Sequence, residues 1–154
     1  MADGIVARRI GLVTGANRGI GLAICRQLAS NGVTVLLGAR DAAAGEQAAA
    51  ALRAEGLDIQ SIRIDTADPQ SFESARDFLA HKFGHLDILV NNIGMGFDWG
   101  HTAADVPMRL LRETFEINFF SLVDLTQRLL PLIRLSHAGR IVNHSSDIGK
   151  LARR

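Results

Sequence analysis

A chain of 154 residues, 47% hydrophobic and 21% charged, suits one domain that buries roughly 70% of the surface exposed by its unfolded form. Its 17 basic and 16 acidic residues leave a formal net charge of +1, which gives no electrostatic footprint for nucleic acid or an anionic membrane. A single cysteine, Cys25, excludes an internal disulfide and a cysteine-rich metal site and suits a reducing compartment; with no apolar run of membrane-span length and no signal-peptide order at the start, a cytoplasmic location is expected.

The elements alternate between short β-branched runs and longer segments of helical period. Residues 9–14 (RIGLVT) read as the first strand and are followed by the glycine-rich TGANRGIG and a helix over 19–31, which Asn31-Gly32 stops. A strand over 33–39 leads to an alanine-rich helix over 42–55, ended by Gly56. The third strand covers 58–65, and Asp68-Pro69 opens a helix over 69–83 with a cap and a first-turn proline. The fourth strand covers 86–92, a long helical pattern runs over 106–135 with Pro131 predicting a kink or a boundary, and a fifth strand covers 139–146. This β/α alternation predicts the α/β class: a doubly wound, Rossmann-type parallel sheet in a three-layer αβα sandwich, within one domain over 1–154. Right-handed crossovers put the third strand at an edge and the fourth beside the first, giving the order 3-2-1-4-5.

That order concentrates the informative motifs. A strand that ends in glycines and turns straight into a helix offers free backbone N–H groups and a positive dipole end, which is the chemistry of a diphosphate site. Gly15 permits the tight turn, Gly19 a close approach of the ligand, and Gly21 close packing of helix on strand. The spacing is Gly-x-x-x-Gly-x-Gly, not the general Gly-x-Gly-x-x-Gly. The fourth strand ends in Asn91-Asn92-Ile93-Gly94 and the fifth delivers Ser145 and Ser146 to the same rim, so the sheet reversal brings all three segments to one crevice.

On TGANRGIG, NNIG and IVNHSS, in that order, the chain resembles the short-chain dehydrogenase/reductase family. TGANRGIGLAICRQLASNGVTVLLGARD and INFFSLVDLTQRLLPLI are most similar to the carbonyl reductase branch and the related menthone and salutaridine reductases. The resemblance implies that Gly15, Asn17, Arg18, Gly19, Ile20 and Gly21 bind the cofactor around its pyrophosphate, that Asp65 and Thr66 meet the adenine, and that Asn92 and Gly94 lie against the ribose, with Asn91 bracing the sheet. Ile93 stands where the family has alanine and adds bulk. Asn118 matches the asparagine that supports a proton-relay water, Ser146 the catalytic serine, and Ser145 its non-catalytic neighbour. At the end of the second strand Ala39 is neutral and Arg40 follows; with Arg18 it favours NADP(H) over NAD, the alternative being a solvated Arg40 paired with Asp41.

The implied reaction is NADPH-dependent hydride transfer between nicotinamide and a small-molecule carbonyl or alcohol, the protein positioning and polarising. In the family a Tyr-x-x-x-Lys segment supplies the proton and holds the ribose. This sequence has no tyrosine, so the expectation is an amino-terminal part of a longer fold, incomplete at its carboxyl-terminal side, with the donor lying beyond it; the alternative is a non-catalytic NADP(H)-binding module. Substitutes are weak. Lys150 follows Ser146 with no phenol beside it, and Lys82 lies far off in sequence. His81 and His85 are separated by Gly84 without a third ligand, so no metal is expected. His144 either titrates or packs, Cys25 reads as a small core residue, and the segment 94–100, with Met95, Phe97 and Trp99, lines the substrate mouth or packs as an ordinary loop. Self-association is expected through the fifth-strand edge or the long fourth helix.

Overall fold

The structure, a computed structural model, describes residues 8–97, 100–102 and 104–146; Trp99 and Lys150 lie outside them. Five strands, β1 (Ile10–Val13), β2 (Thr34–Ala39), β3 (Ile59–Arg63), β4 (Ile88–Asn91) and β5 (Arg140–Asn143), form one sheet in the order β3-β2-β1-β4-β5. Every neighbouring pair is parallel, with Leu12 opposite Leu36 and Leu89, and Asn91 opposite Asn143. The period of two along the strands divides the core. Leu12, Leu36 and Leu89 face Phe72, Leu79, Leu125 and Leu129 on one side; Val13, Val35, Leu37 and Val90 face Cys25, Ala49 and Leu52 on the other. The expected three-layer doubly wound architecture is the one observed.

Helices α1 (Gly19–Ser30), α2 (Ala42–Ala54) and α3 (Pro69–Lys82) occupy their predicted places. Gly32 and Gly56 take φ of +77° and +83° just past α1 and α2, so both stop in the left-handed conformation that glycine enters at least cost. Asp41 accepts from the Ala44 N–H at 2.9 Å, and Asp68 from that of Gln70 at 3.2 Å with Pro69 following, which caps α2 and α3. The strands are shorter than their apolar runs where backbone groups leave the ladder early. The Asp65 N–H, for instance, turns to Ser71 Oγ at 3.0 Å.

The fourth helical run departs from expectation. It divides into α4 (Met108–Phe115), a π-helical turn (Glu116–Phe120) and α5 (Ser121–Arg134), and α5 continues through Pro131. The proline sits near the end of α5, where its missing N–H disturbs little of the remaining helix. The irregularity instead falls on the turn that holds Asn118, where the extra residue of a π turn re-aims the side chains.

Cys25 is fully buried, and desolvation pushes its thiol up to about 12, which leaves almost no thiolate at neutral pH. No helix among the described residues is long and apolar enough to cross a membrane. β5 forms one sheet edge, exposed along its length.

Candidate active site

The two loops expected to share a crevice meet through Thr14 and Asn92. Thr14 is buried at the end of β1, and its N–H donates to Val90 O at 3.0 Å. Its Oγ1 accepts from the N–H groups of Asn92 at 3.0 Å and Ile93 at 3.2 Å. Asn92 returns the tie: its Nδ2 donates to the carbonyls of Thr14 and Gly15, each at 3.1 Å. On the other side the Ala16 N–H reaches Gly38 O at 2.9 Å, fastening the turn to β2 as well. The turn carbonyls are thereby occupied from behind, and α1 begins immediately after them. Arg18 is its N-cap, with no side-chain hydrogen bond, and no acidic residue stands in the first turn. The opening amides of α1 are therefore left to an external acceptor.

The glycines fit that use. Gly15 has φ of +61°, and a Cβ there would lie 3.2 Å from Ile93 Cγ1. A Cβ on Gly21 would come within 2.6 Å of both Asn92 Nδ2 and Gly15 O, closer than real atoms approach. Gly19 has φ of +58° and nothing within 4 Å of such a Cβ, so this is the open side of the turn. The cradle is a recess that side chains would fill, with Asn17 half-buried at its margin and Arg18 and Ile20 exposed beside it.

Arg40, exposed just past β2, is not paired with Asp41, whose carboxylate is engaged in capping α2. Among the described residues neither Arg18 nor Arg40 belongs to an ion pair, whereas most other arginines do. Asp65 is more committed than its expected role suggests. Arg63 donates to it at 2.6 Å and the Ala67 N–H at 3.1 Å, while Arg63 also binds Asp68. The hydrogen bond from Arg63 holds the Asp68 carboxyl below its ordinary range. Thr66 lines a small cleft together with Thr14, Asn91 and Ile93.

Asn118 reaches across from the π turn. Its Oδ1 accepts from the Met95 N–H at 2.8 Å and its Nδ2 donates to Met95 O at 2.6 Å, so both ends of the amide hold the loop after β4. A Cβ on Gly94 would lie 3.9 Å from Asn118 Oδ1. Asn91 is buried and donates to Asn143 Oδ1 at 2.8 Å and to Thr126 Oγ1 at 3.2 Å, tying β4 to β5 and α5. Ser145 and Ser146 follow β5 in exposed positions on the same rim. His85, by contrast, lies at the other end of β4, against Asp87 and Phe83 O.

Two contributors, Thr14 and Asn143, have no separate role in the sequence reading, and a third, His144, stands there with its role open between titrating and packing. Thr14 is the hub of both loops, signalled only by a hydroxyl at the last position before a glycine turn. Asn143 and His144 oppose Asn91 and Asn92 across the β4–β5 seam, visible only once the register is known.

A profile of the family described as short chain dehydrogenase matches residues 9–154. The (+)-neomenthol dehydrogenase of Arabidopsis thaliana is 40% identical over 165 residues, covering 93% of this chain and 55% of the relative. NADPH carbonyl reductase 1 of Mus musculus is 44% identical over 144 residues, covering 92% and 50%. The solved structure of menthone neomenthol reductase from Mentha piperita superposes with a TM-score of 0.82 at 34% identity, over 92% of this chain and 61% of that one. The chain thus spans about half the length of the curated relatives it matches.

Proposed function

The chain belongs to the short-chain dehydrogenase family and is similar to carbonyl and menthone reductases within it, and from that premise we propose that it is the NADP(H)-binding unit of an oxidoreductase acting between a carbonyl and an alcohol. The observation that carries this reading is the reciprocal Thr14–Asn92 tie, which occupies the carbonyls of Thr14 and Gly15 from behind and holds the glycine turn beside a helix end without a side-chain cap. Residues 1–154 are read as one domain. When bound, the cofactor supplies a hydride. Gly15, Gly19, Ile20 and Gly21 present backbone to the pyrophosphate, with Asn17 at the margin, and Arg18 and Arg40 face the 2′-phosphate. Asp65 and Thr66 border the adenine, and Asn92 and Gly94 the ribose. Ser146 donates a hydrogen bond to the substrate oxygen, and Asn118 fixes the loop beside it and supports the proton relay.

The 154 residues contain no tyrosine, so in this reading the proton comes from a phenol outside them. Fluorescence titration of the 154-residue polypeptide should show saturable NADPH binding without carbonyl-dependent oxidation. Absence of binding would refute the proposal. The lack of tyrosine also favours a second reading, a non-catalytic NADP(H)-binding module; carbonyl turnover by a longer polypeptide carrying Tyr-x-x-x-Lys would eliminate it.

Cofactor choice is tested separately. Arg40→Ala should weaken NADPH binding about tenfold, as expected for loss of one charge-assisted phosphate contact, and leave NADH within about twofold on the same scale. Equal losses for both cofactors would contradict the assignment of Arg40 to the 2′-phosphate. The β5 edge, with Ile141 39% and Val142 49% exposed, and the exposed Phe115, Phe119 and Phe120 of the long helical run give self-association its surface. Sedimentation of the polypeptide should show dimers or larger species; a monomer throughout would count against it.

A further inference from the structure

We propose that His144 is a positioning residue that orients Asn92 and thereby holds the 14–21 turn in its binding conformation. The inference rests on reading that turn as the NADP(H) site. Past the last residues of the β4–β5 ladder, the His144 N–H donates to Asn91 O at 2.9 Å, which carries the pairing one residue further. Two side-chain rungs then cross the seam. Asn91 meets Asn143, and His144 Nδ1 lies 2.9 Å from Asn92 Oδ1; because consecutive side chains alternate, the rungs occupy opposite faces of the sheet.

The second rung has a defined proton. The Asn92 amide is held one way round, because its NH₂ faces two carbonyls, Thr14 O and Gly15 O, that only accept. Its oxygen is therefore the atom turned to His144, and the hydrogen belongs on Nδ1, leaving Nε2 as the ring nitrogen outside this bond. Asn92 is thus gripped at both ends of its amide. One end binds the turn and the other binds the strand that carries Ser146 two residues later. The His144–Asn92 hydrogen bond thus joins the cofactor turn to the serine strand through one side chain, and it fixes the rotamer from which Asn92 reaches the two turn carbonyls.

The position of the hydrogen gives the test. Asparagine places an N–H where Nδ1 stands, whereas glutamine places one nearer Nε2, and leucine supplies neither. In NADPH titrations of the 154-residue polypeptide, H144Q and H144L should bind about fivefold more weakly, the scale of one partly exposed hydrogen bond, and H144N should restore most of the affinity. In the cofactor-free protein, ring ¹⁵N shifts should report the Nδ1–H tautomer, and the Gly15 and Ala16 amide resonances should move in H144Q and far less in H144N. Equal NADPH affinity in all variants, an Nε2–H ring, or turn amides indifferent to both substitutions would overturn the proposal. If the wild-type polypeptide binds no NADPH, the functional reading fails by itself, and the tautomer with the amide shifts still decides whether His144 holds the turn.

Discussion

Gly21→Ala is expected to weaken NADPH binding by about 100-fold, roughly 2.7 kcal/mol, in a chain that still folds. The new methyl carbon would stand 2.6 Å from Gly15 O, 2.6 Å from Asn92 Nδ2 and 2.8 Å from the Cα of Ala16. Two of these three atoms are backbone, so the clash cannot be relieved by rotating a side chain. Either α1 lifts away from the turn, or Asn92 is expelled and the carbonyls of Thr14 and Gly15 lose their donor. Both outcomes disperse the amides that the turn presents together. The overpacking itself should cost about 1–3 kcal/mol of stability, so binding is compared at a temperature where circular dichroism shows the variant folded. Gly19→Ala is the informative contrast. A methyl group there meets nothing within 4 Å, and its penalty comes from the φ of +58° and from occupying the space a ligand enters. G21A should therefore lower both Tm and affinity, and G19A should act mainly on affinity. NADPH binding by folded G21A within twofold of wild type would show that the close approach of α1 to the turn is unimportant.

The contrast also shows what the sequence carries. The sheet order was legible because right-handed crossovers and β/α alternation leave few arrangements, and the meeting of residues 14–21 with 91–94 follows from that order. Helix ends were legible where one residue decides them, as at Gly32, Gly56 and Asp68. The bend in the long helical run was not. Pro131 is the conspicuous residue, yet the distortion lies at 116–120, where nothing in EINFF marks a π turn before its tertiary partner, the Met95 backbone, is known. Asp65 shows the same gap. Its place at the end of the third strand was readable, but its ion pair with Arg63 depends on side chains that local pattern does not order. Contacts across the β4–β5 seam, Asn91 to Asn143 and Asn92 to His144, need the strand register, which pairs residues 52 apart in the chain.

A second large effect is expected at the opposite pole of the sheet. Asp87 precedes β4 and is mostly buried, with its side chain 13% exposed. Its Oδ2 accepts from the Ile10 N–H at 2.7 Å and lies 3.1 Å from His85 Nε2, while its Oδ1 accepts from Ser136 Oγ at 2.5 Å. The Asp87 backbone adds bonds to Ile10 O and from the Arg140 N–H. One carboxylate thus secures the start of β1 and the connection between α5 and β5. Asp87→Ala leaves the N–H of Ile10, a residue 2% exposed, without its acceptor; an orphaned buried donor costs about 1–3 kcal/mol. With Ser136 also released, a total near 3 kcal/mol is expected, a fall in Tm of roughly 6–12 °C for a chain of this size. Asp87→Asn keeps one oxygen for Ile10 and turns an NH₂ toward Ser136 Oγ, which is able to accept, so its loss should be about 1 kcal/mol. NADPH affinity of the folded variants should not change, because the Asp87 contacts lie at the amino ends of the strands and the candidate site at their carboxyl ends. Urea unfolding and NADPH titration together test both halves: equal stability of wild type and D87A would refute the hub, and a parallel loss of affinity would refute the independence of the two poles.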